Sequence, residues 1–296
     1  MTEFLGEIGK KLAERWVTFL AVPGLLYLAA VTCAVVLGQD HALDFASLSH
    51  QITRWAGSAA LRSVGSAALI AAAVLTGSVV AGLAAATLGR LTQMTWTMPG
   101  RRRPAKWLTG WRRKRSQDAK RIADDPASSQ ARVRKAMARA DRICLIEPGR
   151  PTWIGDRLRV SEVRVQRTYG LDLAATWPRL WLLVPESVRT EISAARNSFT
   201  VSARLTGWAV LYLALAAWWW PAAPIAVTVG IASIIKARLA ASDLADLVES
   251  AIDLHGRELA AQLGVDATGP LPAALGKELT ALMRKSRWDP HSPLAD

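Results

Sequence analysis

The sequence predicts an all-α integral membrane protein: four transmembrane helices in two hairpins, a basic helical cytoplasmic region and an amphipathic C-terminal helix. Three observations predict it. Two uncharged apolar runs, 17–38 and 64–89, reach the ~20 residues a helix needs to cross a hydrocarbon core. All the excess positive charge lies in one block: residues 90–204 hold 25 basic and 10 acidic side chains, a balance of +15, within a chain of net charge +13. The remaining segments place apolar residues at helical spacing between cap and stop signals.

Residues 1–16 form a cytoplasmic amphipathic segment carrying Lys10, Lys11 and Arg15. The first span, 17–38, reads VTFLAVPGLLYLAAVTCAVVLG. It is longer than the ~7–15-residue apolar core of a cleaved leader, and no A-x-A site follows promptly. It is therefore expected to stay as a span. Residues 39–63 form an extracytoplasmic loop with only Arg54 and Arg62 as cations. The second span, 64–89, carries Ser78, Gly82 and Ala86 at four-residue intervals, a pattern that lets helices approach closely and pack.

Between residues 205 and 235 the chain is again apolar. One straight helix of those 31 residues would reach ~46 Å, well beyond a ~30 Å core. Trp218, Trp219 and Trp220 at its midpoint, followed by Pro221 and Pro224, predict a tight hairpin instead, with spans at 199–220 and 222–241. Arg204, Lys236 and Arg238 would snorkel to one face, and Trp16, Trp96 and Trp208 would sit in aromatic belts. With four spans, every large cationic group falls on one side, which the positive-inside bias makes cytoplasmic. Both termini are then cytoplasmic. Arg outnumbers Lys 28 to 9 and Asn197 is the only asparagine, a usage that suggests a G+C-rich bacterial genome and hence a bacterial inner membrane.

The densest charge lies at 100–115, GRRRPAKWLTGWRRKR. Arg101, Arg102, Arg103, Lys106, Arg112, Arg113, Lys114 and Arg115, interleaved with Trp107 and Trp111, suit either nucleic acid or phospholipid headgroups. Tethering about a dozen residues past a span makes anionic phospholipid the expected partner ahead of nucleic acid. A topology signal with no ligand accounts for the same charge.

Within 90–198, Val133, Met137, Ala140 and Cys144 recur at helical spacing before Glu147-Pro148-Gly149. Thr152 is placed to cap a helix that stops near Gly170, and Asp172 to cap a shorter one that Pro178 would kink or end. Residues 171–185 are too short to span and too apolar for a solvated loop, so they are either an interfacial segment or an ordinary core helix. Val188, Ile192, Ala195 and Phe199 mark one helix face leading into the third span. In the tail, Ser242 or Asp243 would cap an amphipathic helix to Gly264 whose acidic face, Asp246, Glu249 and Asp253, is expected to dock on the basic helix around Arg132, Arg139 and Arg142.

The residues Pro151, Thr152, Gly155, Asp156, Leu158 and Arg159, then Tyr169-Gly170-Leu171-Asp172, then Trp177-Pro178-Arg179-Leu180, form a spaced pattern over about a tenth of the chain. That pattern resembles a segment of a family of uncharacterised bacterial multi-pass membrane proteins. The resemblance implies a membrane location and supplies no chemistry.

Phosphate-binding, zinc-protease, hydrolase and paired C-x-x-C motifs are missing from the sequence, and its four histidines are scattered. Cys33 and Cys144 lie in unlike surroundings and are not expected to pair. Asp253 and His255 diverge by about 200° on a helix, so with Glu258 they are not expected to hold a metal. No cofactor and no metal are expected. Asp156, Tyr169, Asp172 and Arg179 near the interface are all that a lipid-acting enzyme could use. The reading is a non-enzymatic scaffold, anchor or regulatory subunit that engages a cytoplasmic protein partner or anionic lipid. The alternative is a homo-oligomeric pore packed through the small-residue face of the second span.

Overall fold

The computed structural model describes residues 21–57, 63–99, 105–124, 129–143, 148–265, 269 and 271–285. The described residues form ten helices and no strands: α1 (Val22–Leu37), α2 (Phe45–Ala56), α3 (Val64–Thr97), α4 (Ala105–Asp124), α5 (Gln130–Ile143), α6 (Trp153–Tyr169), α7 (Leu173–Leu183), α8 (Glu186–Leu215), α9 (Ala222–Gln262) and α10 (Ala273–Met283). Three of them, α3, α8 and α9, are long and apolar enough to cross a membrane. The apolar helix α1 is 16 residues long as described, and the start of its predicted span at 17–20 lies outside the described residues, as does the amphipathic segment 1–16.

The chain divides into two compact units, Met1–Gln93 with Thr200–Ile235, and Met94–Phe199 with Lys236–Asp296. In the first unit, packing depends on missing side chains. A β-carbon on Gly24 of α1 would collide with the Ser78 carbonyl of α3, and one on Gly207 of α8 with the Ala85 carbonyl. Ser78, Ala81, Gly82, Ala85 and Gly89 thus form the buried side of α3, while Leu69, Val80 and Leu83 are exposed. A helix that is apolar all round but buries only its smallest residues suits a lipid environment. Between α8 and α9, the Ser233 hydroxyl donates to the Ser202 carbonyl at 2.7 Å and lies 2.5 Å from the Thr206 hydroxyl. Trp208, expected in an aromatic belt, is instead buried against Ala81 and Ala85, with Tyr27 at 6.0 Å.

Helix boundaries differ from the sequence expectation in three places. The second span does not stop at Gly89, because no proline or cap interrupts α3 before Thr97. The third ends at Leu215, five residues early, where the turn carrying Trp218–Trp219–Trp220 begins. No break occurs at Ser242 or Asp243: α9 runs unbroken for 41 residues, since helical hydrogen bonding already satisfies the amides those caps would serve. The predicted loop at 39–63 also contains a helix, α2. Asp44 caps it, accepting from Ala46 N and Ser47 N at 3.1 Å each. Those hydrogen bonds, with the one from the Ser47 hydroxyl first, hold the exposed Asp44 carboxyl below its ordinary pKa.

The second unit has a conventional core. Val165, Leu171, Leu180, Val184, Ile192, Ile252, Leu259, Leu279 and Met283 are buried together. Residues 171–185 contribute to this core, as the core-helix alternative has it: Leu180 of α7 and Val184 just after it are buried, and α7 continues through Pro178. Thr152 and Asp172 cap α6 and α7 as expected, accepting from Gly155 N at 3.1 Å and Ala174 N at 3.0 Å. Gly170 ends α6 at φ +69°, and the chain of α10 crosses there. A β-carbon on Gly170 would meet the Ala273 carbonyl, and one on Gly276 the Tyr169 carbonyl. The buried Leu279 and Met283 of α10 complete the core from that side.

Candidate functional site

Residues 105–115 of the basic stretch lie in α4, which pairs with α5. Helix α4 sorts its residues by size. Ala105, Thr109, Ser116 and Ala119 form a buried face of small side chains at helical spacing. Roughly opposite stand the bulky ones: Trp107 is 75 % exposed and Trp111 54 %, with Leu108 and Ile122 also exposed. Lys106, Lys114 and Arg115 are exposed around them, and the Arg115 guanidinium lies 5.1 Å from the Trp111 ring centroid. Exposed tryptophan flanked by cations is the side-chain chemistry of a headgroup-depth surface. Arg101, Arg102 and Arg103 lie outside the described residues.

Arg112 departs from the rest of the predicted set. Its guanidinium turns inward, Nη1 donating to Asp156 Oδ2 and to the Arg150 carbonyl, both at 2.6 Å. Asp156 is 2 % exposed, and its other oxygen accepts from Gly149 N at 2.9 Å and Arg150 N at 2.8 Å. One buried carboxylate therefore joins α4, the 148–152 loop and the first turn of α6. Arg113 also reaches this loop, with Nη2 3.4 Å from the Pro148 carbonyl. Reading composition along a linear sequence could not single Arg112 out from seven neighbouring cations. Its position seven and three residues after Ala105 and Thr109, and four and seven before Ser116 and Ala119, places it on their helix face and was the available signal.

The other motif residues also have structural duties. Thr152 donates to the Trp96 carbonyl at 2.8 Å, and a β-carbon on Gly155 would strike that same carbonyl. Trp96 rests on Phe199 at 5.8 Å, and the Arg238 guanidinium lies 4.7 Å from the Trp153 ring centroid. Arg179 donates to the Ala175 and Met283 carbonyls at 2.8 and 3.0 Å, and Asp172 pairs with Arg284. Asp156, Asp172 and Arg179, three of the residues a lipid-acting enzyme could use, are thus engaged in ion pairs, a helix cap or backbone contacts.

The acidic face of the C-terminal part of α9 meets α6, not the helix bearing Arg132 and Arg139. Arg157 reaches Asp246 at 2.5 Å and Glu249 at 3.5 Å, and Arg164 reaches Glu249 at 3.3 Å. Arg157 is 7 % exposed, so its charge needs these carboxylates, whereas Arg132 on α5 is exposed; the side chains of Arg139 and Arg142 lie outside the described residues. Reversing Asp246 and Glu249 to lysine is expected to destabilise the second unit. Reversing Arg157 and Arg164 should restore thermal stability in detergent, whereas reversing Arg132, Arg139 and Arg142 should not.

Tyr169 donates to Asp253 Oδ1 at 2.8 Å. That hydrogen bond, then burial and the carboxylate charge, raises the Tyr169 pKa above its ordinary 10.0. A raised folded-state value favours the protonated phenol. Its stabilisation is present below the unfolded pKa near 10 and is lost as pH rises through the folded value. Tyr169→Phe should lower stability across the neutral region, where the hydrogen bond contributes, and flatten the alkaline limb of a stability–pH profile.

Among the described residues no three His, Cys, Asp or Glu side chains are grouped to hold a metal ion. Asp253 faces Tyr169 while His255 turns to Glu258 at 3.2 Å. The small-residue set is packed internally: Ser78 and Gly82 are buried and Ala86 half-buried. The chain matches no protein-family model, no curated protein and no solved structure.

Proposed function

We propose that the protein is a non-enzymatic membrane anchor or scaffold whose α4 surface binds anionic phospholipid on the cytoplasmic leaflet. In this reading four spans, α1, α3, α8 and α9, cross a bacterial inner membrane with both termini inside, as the positive-inside bias requires. The observation that carries it is the exposed Trp107–Leu108–Trp111 ridge among Lys106, Lys114 and Arg115. A solvated charged helix has no use for two exposed tryptophans, and these stand ten and fourteen residues past Thr97, the end of the helix before it. At the headgroup level the indoles bury their apolar edges while each nearby cation adds about 1 kcal/mol of attraction. A homo-oligomeric pore would need the Ser78–Gly82 face, which α1 and α8 already engage.

The test uses the full chain with Cys33 and Cys144 replaced by alanine and an environment-sensitive fluorophore on Leu108→Cys. In nanodiscs of phosphatidylcholine with phosphatidylglycerol the emission should shift to the blue, and the shift should reverse at high salt. K106Q/R113Q/K114Q/R115Q should abolish it, since about 4 kcal/mol of attraction is removed. Emission indifferent to lipid charge would sink the lipid reading. A soluble protein retained by the wild-type chain in mild detergent, and lost from the same variant, would then identify a protein as the partner.

A further inference from the structure

Helix α2 is a second amphipathic surface, of different chemistry and in the other compact unit. After the Asp44 cap, Phe45, Leu48, Ile52 and Trp55 fall on one side at roughly 100° per residue, and Ser47, His50 and Arg54 on the other. The apolar side faces outward: Phe45 is 74 % exposed, and Leu43, Ile52 and Trp55 are exposed with it. Only one cation, Arg54, lies within the helix, so the attraction that suits α4 to anionic lipid is missing here.

The neighbours say what covers this face. Helix α2 lies between the apolar helices α1 and α3 in the chain. The loop leading into it is tied to the α8–α9 turn: Gln39 Nε2 donates to the Ala217 carbonyl at 2.9 Å, and Trp219 Nε1 donates to the Ala42 carbonyl at 3.1 Å. Trp218 and Trp220 of that turn are exposed, as is Val35 near the end of α1. Val35, Leu43, Phe45, Trp218 and Trp220 are thus exposed apolar side chains on α1, on the loop and first residue of α2, and on the turn to which that loop is hydrogen-bonded.

We infer that α2 lies flat in the lipid interface of the extracytoplasmic leaflet, its Phe45–Leu48–Ile52 side inserted among the acyl chains below the headgroups. The inference rests on the membrane reading but not on lipid binding by α4. Because insertion works by apolar burial, it should be indifferent to lipid charge and to salt, the reverse of what α4 should show.

The test places the same fluorophore on Ile52→Cys or on His50→Cys, in the full chain lacking Cys33 and Cys144, reconstituted in phosphatidylcholine vesicles. The Ile52 label should be blue-shifted and quenched severalfold more by lipid doxyl-labelled just below the headgroup than the His50 label. A membrane-impermeant maleimide should modify His50→Cys quickly and Ile52→Cys slowly. Addition of phosphatidylglycerol or salt should change neither result. Equal quenching and equal modification at the two positions would overturn the inference. So would protection of Ile52 without doxyl quenching, accompanied by crosslinking between chains through Ile52→Cys, which would make a second copy the occupant.

Discussion

Asp156→Ala is expected to lower the stability of the second unit by about 3–5 kcal/mol, the cost of breaking a buried ion pair from one side. The change removes the acceptor for three donors at once: Arg112 Nη1, Gly149 N and Arg150 N. Arg112 is 13 % exposed and can recover some water, but the two loop amides lose the carboxylate they share. The complementary change separates charge from geometry. Arg112→Ala leaves Asp156 with both backbone donors, and a carboxylate held by two N–H groups is still stabilised, so this variant should lose distinctly less. Thermal unfolding of the full chain in mild detergent reads both. Equal losses would mean that the ion pair alone, and not the shared carboxylate, joins α4 to α6. Asp156→Ala should also weaken the lipid response of a fluorophore on Leu108→Cys, because α4 loses the contact that orients it.

The second large effect is at the crossing of α10 over the end of α6. Gly170→Ala meets two obstacles. The backbone is left-handed at φ +69°, which costs a residue with a β-carbon about 1–2 kcal/mol. The new methyl group also collides with the Ala273 carbonyl, a backbone atom that cannot rotate away, which adds about 1–3 kcal/mol. The cheaper escape is for α10 to lift off, exposing Leu279 and Met283. Amide hydrogen exchange should then show α10 losing protection while α6 and α7 keep theirs. Gly256→Ala is the matched control. It is buried in α9, yet its β-carbon would lie 3.8 Å from Ile252 and 4.0 Å from Leu271, ordinary contacts, so helix propensity should make it neutral or slightly stabilising. If both glycine variants behave alike, the close approach at Gly170 does not hold α10 in place.

Much of the local structure was legible because it depends on a few adjacent residues. Thr152, Asp172 and Gly170 act at helix ends as their chemistry dictates, and the apolar length of α3 suffices for a membrane-crossing helix wherever it packs. The face formed by Ile192, Ala195 and Phe199 is buried as its periodicity required. Even α2 was readable, since Asp44 and the spacing of Phe45, Leu48, Ile52 and Trp55 are local signals that the scarcity of charge in its loop obscured.

Pairing was another matter. Composition made Arg112 one cation among many and Asp246, Glu249 and Asp253 a face in search of any basic helix. A charge gains most from the partner beside which it is buried, and burial is decided by how α6, α7 and α9 close around one core. The sequence by itself determined the apolar length of α3, the caps at Thr152 and Asp172, the stop at Gly170 and the segregation of positive charge, because each is set by contiguous residues. Only the tertiary structure decided that Arg112 turns to Asp156, that α9 answers α6, and that Ser78 and Gly82 are spent on contacts within the chain.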